Sequence, residues 1–196
     1  GRPLSVSLAQ ADVAPEGWKH LLSEIESASE AGLEMRAQVG PRPVGLLLGL
    51  ELTLNPFSGH PVYQTIASEP FEARYKTLQD PIAEARGTTP ETVAFDMMME
   101  GGGIGMLYLP FLNYAQGSLD PVKTMLESPA SLPGLSDGGA HVGMICDGSF
   151  PTTLLTHWAR DRSRGETIPL EFLIQRQCRD TAAWVGLKDR GVLAPG

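Results

Sequence analysis

Leu4, Val6 and Leu8 alternate with Ser5 and Ser7, the period of two that side chains follow on a strand with one buried face. This predicts a strand over residues 3–10. Pro15 then stands at a favourable first helical position, and Trp18, Leu21, Leu22, Ile25 and Ala28 recur at helical spacing. Gly32 is placed to close that helix. A second strand is expected over 33–39, ended by Gly40-Pro41-Arg42-Pro43. Strand, helix and strand at this spacing make a βαβ unit with parallel strands.

The pattern weakens over residues 41–86, where Pro56, Pro61, Pro70 and Pro81 interrupt the chain. An apolar run at 46–50 and short helices at 63–68 and 71–78 are expected within it. Thr89-Pro90-Glu91 opens a better helix that runs through Met99 and ends at Gly101-Gly102-Gly103, with a strand expected at 104–109. Asp120 reads as an N-cap with Pro121 in the first turn of a helix through Leu126. The short apolar segment 131–136 stops in Asp137-Gly138-Gly139. Leu154, Leu155 and Trp158 form the apolar face of a helix over 150–160, and two further helices are expected at 170–178 and 181–185.

Composition narrows the class. Hydrophobic residues make up 42% and charged residues 19% of 196 positions, which is globular. A net charge of −8 without a basic run argues against nucleic acid as a partner. No run of about 18 apolar residues predicts a membrane span. Cys146 and Cys178 read as reduced thiols of a cytoplasmic protein. The opening Gly1-Arg2-Pro3-Leu4 has neither an initiator Met nor a signal-peptide pattern, and reads like a chain entered midway. Arg160, Arg162, Arg164, Arg176, Arg179 and Arg190 interleave with Asp161, Glu166, Glu171, Asp180 and Asp189, the pattern of a solvated salt-bridge face.

The stretch that carries chemistry is Gly134-Leu135-Ser136-Asp137-Gly138-Gly139-Ala140-His141-Val142. A carboxylate at a strand end, followed by glycines, has two readings. It caps its own turn, or it faces a cavity at the carboxyl end of a barrel strand and moves protons there. The flanking residues bear on the choice. Asn113-Tyr114, then Val122-Lys123-Thr124-Met125-Leu126-Glu127-Ser128-Pro129, lead into Leu135-Ser136-Asp137-Gly138. Gly148-Ser149-Phe150-Pro151-Thr152 follows, and the chain closes with Gly186-Leu187, Asp189-Arg190-Gly191 and Pro195-Gly196. In this order the segment resembles the amidohydrolase superfamily, with the D-aminoacylase and N-acyl-D-amino-acid deacylase group as the most similar branch. The resemblance is best over 113–196 and looser over 1–50.

The resemblance implies an α/β fold, the C-terminal portion of a (β/α)8 barrel of the metal-dependent amidohydrolase type. Residues 1–185 would form a partial barrel with an irregular insertion at about 41–100, and 186–196 an exit segment toward a missing β-sandwich. It implies hydrolysis of a non-peptide C–N bond, as in deacylation of a small N-acyl amino acid or related amide. Asp137 would be catalytic, a general base toward a water activated by Zn2+ or another divalent ion, and a ligand of that metal. His141 is a further candidate for substrate contact. Arg42, at a strand end, is either a substrate contact or a loop cap. Leu8 stands where the family's sixth strand carries a histidine. His20, His60 and His157 read as surface or loop residues, and Cys146 as a small buried residue. A cyclic amidohydrolase of the hydantoinase kind and a non-catalytic subunit are the alternatives. A barrel takes about 250 residues, so the chain is expected to gain its remaining strands from another chain or from self-association.

Overall fold

The computed structural model describes residues 2–79, 90–138 and 143–195, and shows a mixed α/β chain in two compact units. Unit 1 comprises Gly1–Val44, Pro110–Asp137 and Asp147–Gly196. Unit 2 comprises Gly45–Leu109 and Gly138–Cys146.

Unit 1 is built on a parallel sheet. β1 (Leu4–Leu8) leads through α1 (Gly17–Glu30) to β2 (Met35–Val39), and α5 (Asp120–Glu127) leads to β5 (Ser131–Pro133). The strand order is β1-β2-β5, with Leu8 beside Val39 and Val39 beside Pro133. α1 begins two residues beyond Pro15 and ends in a Schellman motif. Gly32, at φ +83°, donates to Ser29 O at 3.0 Å, and Leu33 donates to Ala28 O at 3.0 Å. The N-cap expected at Asp120 lies earlier. Asp120 is already helical, and its N–H donates to the Ser118 hydroxyl at 3.1 Å.

The register sorts side chains onto two faces. Val6, Leu8, Met35, Ala37 and Val39 share the face that packs on Trp18, Leu22 and Ile25 of α1 and on Val122 and Met125 of α5. Each fully buried aliphatic residue there contributes roughly 1.5–3 kcal/mol. Ser5, Ser7, Arg36, Gln38 and Leu132 fall on the opposite face, where Gln38 Nε2 donates to Ser5 Oγ at 2.9 Å. Leu8 is wholly buried on the apolar face. The position that resemblance assigns to a histidine is therefore a core position here, directed at the helices.

After β5, α6 (Phe150–Thr156) runs into a wide turn over His157–Asp161, in which the Arg162 N–H reaches five residues back to His157 O at 2.9 Å. α7 (Leu170–Gln175), a second wide turn at Arg176–Asp180 and α8 (Thr181–Trp184) follow without a break. The Arg-rich stretch is only partly a solvated face. Arg160, Arg179 and Arg190 pair with neighbouring aspartates at the surface. Arg162 and Arg176 are buried at 8% exposure each. Arg162 holds Asp120, and Arg176 donates to Ser128 O at 2.9 Å and to Ser131.

Unit 2 holds a smaller core of Leu50, Tyr63 and Met98, with Phe57, Ile66, Phe71, Phe95, Met99 and Leu107 packed against it. Its elements are most of β3 (Val44–Leu48), α2 (Pro61–Gln64), α3 (Phe71–Gln79), α4 (Pro90–Gly103) and the first half of β4 (Leu107–Leu112). β3 pairs with β4. In α4 the helical backbone stops after Met99, because Glu100 is extended and Gly101 and Gly102 have positive φ. The helix expected at 63–68 is shorter and earlier, and the strand expected at 104–109 begins three residues later. Gly105 is pressed against the Met97 carbonyl, where no Cβ fits, so it belongs to a close crossing and not to the strand. Among the described residues, no helix is long and apolar enough to cross a membrane.

Candidate active site at the ends of the parallel strands

Parallel register brings the carboxyl ends of β1, β2 and β5 to one edge of the sheet, and the chain segments leaving them meet there. Asn113 ties two of these segments together. It is fully buried at φ +64°, accepts the Gln10 N–H on Oδ1 at 2.9 Å, donates from Nδ2 to Gly40 O at 3.2 Å, and donates its own N–H to Gln10 O at 2.8 Å. Asparagine tolerates the left-handed region better than most residues. The wholly buried Trp158 donates its indole N–H to Pro41 O at 2.6 Å. Phe150 lies so close to Gly40 that a Cβ there would sit 2.8 Å from its ring.

Asp137 lies beyond β5. The strand ends at Pro133, Gly134 still donates to Val39 O at 3.0 Å, and Leu135 turns the chain with φ +67°. Ser136 and Asp137 are exposed. The Ser136 hydroxyl donates to the Asp147 carbonyl at 3.2 Å. Asp147 is 4% exposed, and its Oδ1 accepts from Arg42 Nη2 at 2.9 Å. Burial pushes the Asp147 carboxyl above the usual carboxylate range. The Arg42 guanidinium opposes that rise, and the charge of Asp137 adds to it.

Arg42 and, through Ser136, the segment bearing Asp137 thus meet at one aspartate that sequence reasoning passed over. Asp147 announces itself only by preceding the Phe150-Pro151 helix start, because its partner lies 105 positions away. Arg42, a candidate substrate contact, donates to Asp147 at 2.9 Å and to Pro43 O at 3.0 Å and lies over the Phe150 ring at 4.8 Å. The other such candidate, His141, lies outside the described residues. His157 packs edge-on to Trp158 at 5.0 Å, and burial lowers its pKa. His60 belongs to unit 2. Neither Cys146 nor Cys178 is in a disulfide.

A divalent metal needs several converging donors. Among the described residues no group of three or more His, Cys, Asp and Glu side chains converges. The carboxylate electrostatically coupled to Asp137 is committed to Arg42. The described residues therefore do not fit a metal centre by themselves. Neither the curated proteins nor the solved structures give a match to the chain. The model of the amidohydrolase family matches residues 78–196, well over half of the chain, and the chain belongs to that family of hydrolases.

Proposed function

We propose that the protein hydrolyses the amide of a small N-acyl amino acid, with Asp137 as general base. The fold reading that accompanies this takes β1, β2 and β5 as strands of a (β/α)8 barrel whose other strands are supplied outside the described sheet. The observation that supports both is the placement of Asp137 past the carboxyl end of a parallel strand.

In this reading Asp137 takes a proton from water as the water oxygen bonds to the amide carbonyl carbon. It then gives that proton to the leaving nitrogen as the C–N bond breaks, releasing a carboxylic acid and an amine, between which one further proton passes to leave carboxylate and ammonium. The expected Zn2+ or related ion would need donors beyond those described, and the role given to Asp137 requires only water and a carbonyl.

A substrate panel tests the assignment. N-acetyl-D-amino acids, their L-isomers and five-membered cyclic imides are offered to the purified protein, and released amine or opened ring is measured. Turnover of the N-acetyl-D-amino acids supports the D-aminoacylase branch. Turnover confined to the cyclic substrates replaces it with the hydantoinase-like alternative.

A further inference from the structure

We propose that the buried Arg42–Asp147 ion pair is the device that positions Asp137, with Asp147 as a positioning residue and not a catalytic one. The inference rests on the reading of Asp137 as base, and it is carried by geometry that reading does not use. Among the described residues no strand holds the segment bearing Asp137, since β5 stops at Pro133 and Leu135 takes a left-handed turn. Asp147 holds it from the far side, because its backbone carbonyl accepts the hydroxyl of Ser136, the residue before Asp137.

Asp147 is itself fixed by its carboxylate. Arg42 grips that carboxylate at 2.9 Å with both side chains largely shielded from water, at 15% and 6% exposure. Arg42 is braced in turn by the Pro43 carbonyl at 3.0 Å and the Phe150 ring at 4.8 Å. Phe150 is 1% exposed and abuts Gly40, and the neighbouring Pro41 carbonyl is held by Trp158. A continuous set of contacts therefore runs from the end of β2 through Arg42 and Asp147 to Ser136 and Asp137. Removing the Arg42 guanidinium takes from the buried Asp147 carboxylate the cation it accepts from.

The test uses the purified protein and whichever amide it turns over. Arg42→Gln and Asp147→Asn are each expected to lower kcat by roughly 10–100-fold, the scale of a misplacement of about 1 Å, with KM changed less than about twofold. The double variant is expected to be no worse than the poorer single one. Arg42→Lys, which keeps the charge, should recover most of the loss seen with Gln. Ser136→Ala perturbs only an exposed side chain and is expected to lower kcat several-fold with an unchanged melting temperature. Independently of activity, amide hydrogen exchange over 134–137 should quicken in Asp147→Asn while the sheet amides keep their protection.

Unchanged kcat and unchanged exchange in these variants overturn the proposal. So does an Arg42→Gln variant in which only KM rises, which would return Arg42 to substrate contact. The reading of Asp137 fails separately. If Asp137→Asn stays fully active, the base assignment is wrong. If Asp137→Asn is inactive while the Arg42, Asp147 and Ser136 variants match wild type, only the positioning role is wrong.

Discussion

Asn113 joins the segments leaving β1 and β2 with one side-chain amide. Asn113→Ala strands the Gln10 N–H and the Gly40 carbonyl and leaves at φ +64° a side chain without the amide that bonds them. Urea unfolding is expected to show a loss of at least about 2 kcal/mol. Trp158→Phe should cost roughly 1–3 kcal/mol in the same assay, because the Pro41 carbonyl loses its donor in a wholly buried place. His157 has a pH signature. Its folded pKa lies below 6.5, so the folded state binds fewer protons than the unfolded one. Its contribution is present above about 6.5 and is lost as pH falls through the lower folded value. The melting temperature should fall over that acid window, and less so in His157→Gln. At this scale the sequence offered Asp137 and Arg42 as candidates but not the Arg42–Asp147 pair. Asp147 becomes visible only when folding brings together residues 105 positions apart.

The elements of unit 1 were legible where local chemistry is decisive. Serine–aliphatic alternation marked β1, helical spacing marked α1, and Gly32 marked its end. Legibility failed where tertiary contacts decide. The strand near residue 107 is displaced by the crossing at Gly105, and the turn after α6 widens where Trp158 reaches Pro41. Ser118, not Asp120, is the residue whose side chain caps the start of α5, because Asp120 faces Arg162. Ser118→Ala should destabilise that helix by about 1 kcal/mol. The check is urea unfolding, with Asp120→Asn as the contrast that leaves the Ser118 hydroxyl in place.

The molecule has two cores of unequal size, one under the parallel sheet and one around Leu50, Tyr63 and Met98. Trp18, Trp158 and Trp184 all lie in unit 1. Indole fluorescence therefore reports that unit alone, whereas far-ultraviolet dichroism reports both. The larger core should be the more resistant, so in urea the dichroism signal should begin to change before the fluorescence does. Membership of the amidohydrolase family makes hydrolysis the property of the molecule most open to test. The most direct measurement is the steady-state rate of amine release from an N-acyl amino acid by wild-type protein and by Asp137→Asn. Asp137 as the base predicts a fall in kcat of roughly 10²–10⁴-fold with the fold retained. A folded Asp137→Asn protein that releases amine at the wild-type rate would contradict it.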